Sequence, residues 1–206
     1  PGGEGKSLRL SQPANAEIPI WLATLGPNSL EYTGEVADGW AGTSFLPSGA
    51  SATIAHVRNG ALKAQRDPDA IQYQAGGAVQ FGDDLDQLLV PRRPGVAFTL
   101  GAMGSPSTNF YNDAYRRGGF EEEAKLVQRL WVERERDKAI AAVPDELILQ
   151  TNFLGTVPEV TQRVRAYQAA GINVLRVQPE GADTQERLDS LGQIIDIVGG
   201  INKETA

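Results

Sequence analysis

Apolar positions in this chain fall into short continuous runs separated by longer stretches with helical spacing. Ile18–Leu25 (IPIWLATL) is almost wholly apolar and ends at Gly26-Pro27, the pattern of a parallel strand buried on both faces. Gly26-Pro27-Asn28 then opens a helix, with proline tolerated in the first turn and Leu30, Thr33, Gly34 and Ala37 forming a small-residue face. A second strand is read at Gly39–Ser44. A helix follows at Ala50–Gln65, with Ile54, Val57, Ala61 and Leu62 spaced for one face. The third strand is Ala70–Phe81, where Gly76-Gly77 signals a bulge or a close backbone approach. Asp83-Asp84 caps a further helix, which Pro91 and Pro94 break or kink.

Gly95–Gly119 reads as a less regular insertion, and a helical insertion as a whole is expected at about 95–150. Within it, Phe120–Arg134 is a helix with Glu121-Glu122-Glu123 in its first turn, favourable for the helix dipole. Pro158–Ala170 is amphipathic, with Val160, Val164 and Tyr167 on one stripe and Gly171 as its stop. Ile172–Val177 is the fourth strand. Asp183–Val198 is the last helix, with Leu188, Leu191, Ile194, Ile195 and Val198 assigned to its buried face. Such alternation signals a parallel sheet with right-handed crossovers. Four strands suit either an open doubly wound sheet or half of an eight-stranded barrel; the pattern alone does not choose.

Composition narrows function more than fold. The 206 residues are 41% hydrophobic and 22% charged, ordinary for a globular protein. There is no cysteine, which removes disulfides, thiolate metal sites and thiol nucleophiles and is compatible with a cytoplasmic location. A net charge of −7 argues against a broad nucleic-acid surface, and no apolar run is long enough to cross a membrane. Pro1-Gly2-Gly3-Glu4-Gly5 lacks the apolar core of a signal peptide and reads as the middle of a flexible loop, so the chain is expected to be a piece of a longer one. No Walker motif, G-x-G-x-x-G or nucleophile elbow is present. The one histidine, His56, sits mid-helix and reads as a packing residue. One histidine without cysteine offers no transition-metal set.

Three strings choose between the two sheets. IPIWLATLGPNSLEYTGEVADGW resembles the fifth strand, following helix and sixth strand of luciferase-like, coenzyme F420-dependent oxidoreductases. LGAMGSPSTNFYNDAYRRGGFEEEA resembles the insertion after strand seven in an actinobacterial-type branch of that family. AAVPDELI, followed by FLGTVPEVTQRVRAYQAAGINVLRVQP, is similar to its segment leading into strand eight. The resemblance runs from Ile18 to Val198 and implies an α/β fold, a (β/α)8 TIM barrel of the luciferase-like type. Only strands five to eight and their helices would lie in this chain, with residues 1–206 as the C-terminal half of one barrel domain.

In barrel enzymes the chemistry gathers at the C-terminal strand ends. The first is Ala23-Thr24-Leu25-Gly26. A glycine before a helix lets backbone amides approach an anion, and an ordinary tight turn would use the same residues. The resemblance implies that this turn lies against the deazaflavin and its phosphate-bearing tail, with Thr43 beside it. At the second strand end, Ser44 and Phe45 are assigned to the substrate pocket. A sugar-phosphate-oxidising branch of the family grips its substrate with a lysine near this point; Phe45-Leu46-Pro47 offers no cation, so a non-phosphorylated substrate is expected. The third strand ends at Phe81-Gly82 and the fourth at Gln178-Pro179-Glu180, where Gln178 and Glu180 are either at the mouth or solvated. Arg92, Arg93, Arg116 and Arg117 flank the insertion, either near an anionic cofactor tail or in solvent.

The implied activity is hydride transfer between reduced F420 and an organic substrate, with any general acid supplied by strands one to four. An FMN-dependent monooxygenase of the same superfamily and a non-catalytic half-barrel binding module are the alternatives. An isolated half exposes two sheet edges, so pairing with the missing N-terminal half or with a second copy is expected. The intact parent would resemble family members that work as homodimers.

Overall fold

The strand read around Gly76 is the spine of the fold. A computed structural model describes residues 11–13, 15–105 and 107–205; the loop expected at Pro1–Gly5 lies outside the described residues. β1 (Trp21–Leu22), β2 (Gly39–Ala41) and β3 (Gln72–Phe81) are joined by α1 (Pro27–Val36) and α2 (Ala50–Lys63). After β3 come α3 (Leu85–Leu89), α4 (Arg93–Ala102), α5 (Phe110–Arg117), α6 (Glu121–Val132), α7 (Arg136–Ala141) and α8 (Asp145–Gln150). β4 (Phe153–Gly155), α9 (Val157–Ala169), β5 (Val174–Pro179) and α10 (Thr184–Thr205) complete the described chain. All strand pairs are parallel.

Hydrogen-bond parity along β3 shows how the sheet is shared. Even residues bond along one edge: Gly42 N donates to Gln74 O at 2.6 Å and Gly82 N to Gly155 O at 3.1 Å. Between them Ala78 N donates to the Asn152 side-chain oxygen at 3.0 Å. Odd residues bond along the other edge, where Asn173 N donates to Tyr73 O at 3.1 Å and Glu180 N to Val79 O at 3.0 Å. β2 therefore holds the first part of one edge, β4 takes over its last part, and β5 holds the opposite edge. The strand at Phe153–Gly155 was not anticipated, because three residues are too short to show a period.

Gly76-Gly77 is a close approach, not a bulge: the register from Gln74↔Val174 to Val79↔Pro179 is unbroken. Gly76 has φ +153°, and a Cβ there would fall on the Arg176 carbonyl oxygen. The same logic operates between α1 and α2, where a Cβ on Gly34 would strike the Val57 carbonyl and one on Gly60 the Glu31 carbonyl.

Two apolar cores result. One lies between the sheet and α1, α2, α9 and α10, with Trp40, Tyr73, Val79, Phe153, Tyr167 and Ile194 at its centre. The other belongs to the insertion and includes Leu46, Leu100, Tyr115, Val127, Leu147 and Leu154. α9 begins with a capping box between Thr156 and Glu159, which the sequence reading did not single out, and is followed by Gly171 at φ +91°, the stop that reading expects.

Several boundaries are corrected. The eight-residue apolar run gives only a two-residue strand; Ile18 and Ile20 are exposed, because β1 is an edge with no described neighbour on its outer side. β2 stops at Ala41 instead of Ser44, because Ser44 turns at φ +51°. Leu62 is exposed at the end of α2. The helix capped by Asp84 does break at Pro91: α3 ends at Leu89, a 3-10 turn spans Val90–Arg92, and Pro94 sits in the first turn of α4, where no amide hydrogen is required. The stretch after Gly95 is largely helical. In α10, Leu188 and Ile195 face solvent, while Ile194 and Ile201 are buried.

Candidate functional site

At the C-terminal ends of β1 and β2 the backbone opens into two turns. The Trp40 indole N–H donates to Thr24 O at 3.0 Å, and the Thr24 and Thr33 hydroxyls lie 2.7 Å apart. These bonds tie the β1 turn to β2 and α1. Gly26 is the N-cap of α1 and provides no side-chain acceptor, so the first amides of this ten-residue helix remain available. A Cβ at Gly26 would meet only Ser29 Oγ, at 3.5 Å, so the turn is open above.

The β2 turn is more strained. A Cβ on Gly42 would meet the Trp40 ring and Gln74 O, and Ser44 adopts a left-handed backbone. Such a conformation costs a non-glycine residue roughly 1–2 kcal/mol, and it persists only where the surroundings impose it. Phe45 is 6% exposed, with its ring edge-on to Trp40 at 5.8 Å and to Tyr167 at 5.4 Å.

Thr24, Leu25, Thr43, Ser44 and Phe45 thus line one cleft, which Arg117 and Gly118 of the insertion border on the far side. Ala23 is exposed next to it, and Gly26 lies at its rim. The cleft is shallow, about 20 Å3, the space of a single water. It is too small by itself to enclose a ligand.

The remaining sequence candidates lie elsewhere. His56 is on α2, half-buried, with Nδ1 3.7 Å from Glu31 Oε1. Arg92 bonds to Gln80 at 2.9 Å and also to Glu180 and the Leu88 carbonyl, joining the insertion to the end of β5; burial pushes its pKa down. Arg93 is engaged by Val143 O and Asp145, and Arg116 by Asp113 and Glu121. Arg117 donates to Leu25 O at 2.8 Å, which makes it the one of the four that reaches the cleft. Gln178 lies beside Gln80 and Glu180 at a separate polar mouth between β3 and β5. Sequence reading missed Ala114 and Gly118, which border the cleft from the insertion; their signal is only visible once α5 is folded over the strand ends. Among the described residues no cluster of His, Asp or Glu suits a metal ion, and no helix is long and apolar enough to cross a membrane.

Comparison with known proteins gives this arrangement a family. The model of the luciferase-like monooxygenase family matches residues 4–173. The chain belongs to that family. It is 29% identical over 192 residues to Rv3520c of Mycobacterium tuberculosis, which carries the name of a coenzyme F420-dependent oxidoreductase; the match covers 92% of this chain and 55% of that one. It is 25% identical over 179 residues to 5,10-methylenetetrahydromethanopterin reductase of Methanopyrus kandleri, covering 86% and 50%. The solved structure of the coenzyme F420-dependent tetrahydromethanopterin reductase from the same organism superposes with a TM-score of 0.67 at 24% identity, over 86% of this chain and 50% of that one. The chain spans about half the length of these relatives. Its unclosed parallel sheet matches part of the barrel in luciferase-like TIM-barrel structures.

Proposed function

We propose that this chain forms the strand-five-to-eight side of a coenzyme F420-dependent oxidoreductase, which passes a hydride between reduced F420 and an organic, non-phosphorylated substrate. The observation that carries the reading is the convergence of Thr24, Leu25, Thr43, Ser44 and Phe45 on one wall, beside the open N-terminus of α1 at Gly26. The names of the F420-linked relatives support the same cofactor.

The residues present fit such a group. Open amides at the α1 N-terminus suit a phosphate-bearing tail, and Gly26 leaves backbone within reach of it. When bound, F420 supplies the hydride chemistry. Ala23–Gly26 would hold the tail, Thr43 would present its hydroxyl to the ring edge, Ser44 and Phe45 would line the substrate pocket, and the edge-to-face Trp40–Phe45–Tyr167 cluster keeps the wall rigid. The cation at this cleft, Arg117, is engaged by Leu25 O, which favours a non-phosphorylated substrate. The proton donor belongs to strands beyond this chain.

Residues 1–206 are read as one half of a barrel domain carrying a helical insertion at about 95–150. The face of β3 and β5 turned away from the helices presents Gln72, Gln74, Gln80, Gln178 and Arg176, with no carboxylate among them. The Arg176 backbone is paired within the sheet, and its charge acts on the Tyr167 phenol; its side chain has no ion-pair partner among the described residues. Closing the sheet would bring β5 beside the β1-side edge of either a second copy or a different half, and sedimentation of the chain alone separates a stable twofold dimer from a form that needs another half.

Fluorescence titration with F420 and FMN tests the cofactor. Quenching by F420 that Gly26→Val weakens at least tenfold is expected. Tighter binding of FMN points to the monooxygenase reading, and indifference to both to a non-catalytic module.

A further inference from the structure

The insertion reaches the site through one short helix. α5 is riveted to its neighbours by two buried asparagines. Asn109 caps it, accepting from Tyr111 N at 3.1 Å and Asn112 N at 3.0 Å. Its amide group donates back to Leu100 O at 3.0 Å. Asn112 donates to Leu100 O at 3.0 Å and to Ala124 O at 2.9 Å, which joins α4, α5 and α6 into one body.

From that body three groups extend to the strand ends. Arg117 donates to Leu25 O in the β1 turn at 2.8 Å. Gly118 O accepts from Ser48 Oγ at 2.7 Å, and a Cβ on Gly118 would strike the Leu46 side chain. Tyr115 is 5% exposed in the same apolar cluster as Leu46 and Leu100, and Ser44 is a polar side chain that acts on its phenol. Phenylalanine would fill an apolar slot equally well; a phenol that deep needs a polar partner, and Ser44, held at φ +51°, is the candidate.

We propose that α5 is the positioning element of the site: Tyr115 holds the Ser44 turn, Arg117 holds the Leu25 turn, and the insertion thereby sets the spacing of the two strand ends. This rests on the reading that the cofactor lies against those ends. The strain at Ser44 is then maintained from outside the sheet, and a change within α5 reshapes the wall without touching a bound ring. Tyr115 and Arg117 are positioning residues, not catalytic ones.

Amide hydrogen exchange of the chain, followed by mass spectrometry or NMR, tests this without any ligand. Tyr115→Phe is expected to speed exchange of the 42–46 amides about tenfold, the ratio that one hydrogen bond of ordinary net strength supports. Arg117→Met is expected to do the same at 24–26, with α4 and α6 unchanged in both. A purely structural Tyr115 would loosen α4 and α6 instead. That result, or unaltered exchange at 42–46, overturns the proposal. Titration with F420 keeps the two readings separate. If the wild-type chain binds F420, Tyr115→Phe should weaken it, and Ser44→Ala added to it should cost nothing more. If the wild type binds neither F420 nor FMN, the proposed function fails, while the exchange data still decide the role of α5.

Discussion

The two faces of the sheet are built from alternate residues of the same strands, yet they obey different rules. Toward the helices β3 turns Tyr73, Ala75 and Val79, all buried, and β5 turns Leu175 and Val177 into the same core. Toward the other side β3 turns Gln72, Gln74, Gly76, Ala78 and Gln80, and β5 turns Arg176 and Gln178. One face is closed by apolar packing, which tolerates no gap. The other carries a polar row, of which Gln80 is already bonded to Arg92. A half-exposed antiparallel sheet would alternate in this way too, but here every pair is parallel. An unclosed parallel sheet with helices packed on one face is the arrangement of a partial barrel.

Removing volume from the packed face should have the largest effect. Phe153 is fully buried against Tyr167, with centroids 5.0 Å apart. Phe153→Ala is expected to cost about 3–5 kcal/mol in urea unfolding, as ring deletions in cores do. A loss below about 1 kcal/mol would show that the helix layer is not closed over the sheet. Next comes the seam between β3 and β5. Gly76→Ala places a methyl on the Arg176 carbonyl at a left-handed φ, and about 2–3 kcal/mol is expected from strain of that kind. Faster amide exchange along Val174–Pro179 would locate the loss, and an unchanged melting temperature would refute the close approach.

How much of this was legible depended on length and periodicity. α1, α2, α6, α9 and β3 extend over enough residues for their apolar spacing and end signals to agree, and Gly171 and Gly26 mark boundaries by local chemistry. β4 and α7 were invisible because three and six residues complete too few periods. In α10 the expected stripe is met at Leu191, Ile194 and Val198, which pack into the core together with Ile201, while Leu188 and Ile195 fall to its exposed flanks. At the cleft, the strand-end rule together with the family strings brought Thr24, Thr43 and Ser44 together in advance. The α5 contribution depends on a contact between residues about 70 positions apart, Ser48 with Gly118, and no local pattern encodes it.

A smaller effect tests the turn from β4 into α9 by pH. The Glu159 carboxylate accepts from Thr156 N and from the Thr156 hydroxyl, each at 2.7 Å, and these bonds, the backbone one first, hold its pKa below the usual carboxylate range. A depressed folded value means that the stabilisation is present above the unfolded pKa, about 4.3, and is lost as pH falls through the folded one. Glu159→Gln should therefore lower the melting temperature at pH 7 by a degree or two, on the order of 0.5 kcal/mol, and make no difference near pH 2. An equal deficit at both pH values would assign the loss to packing instead of the cap.

The smallest effect belongs to the open face, and it separates the two faces most cleanly. Gln74 lies on the side of β3 away from the helices, opposite Val174 and Ala41. In this chain its amide makes no contact that folding depends on, so Gln74→Ala should change unfolding free energy by less than about 0.5 kcal/mol. The substitution becomes costly only when the sheet is closed, since a buried polar row that loses one member leaves its partners unsatisfied at about 1–3 kcal/mol each. Measured in this chain and again in a closed barrel that contains it, the difference between the two values reports what the open face is built to meet. Equal values in both settings would mean that Gln74 faces solvent throughout, and that the polar row is a surface and not a lumen.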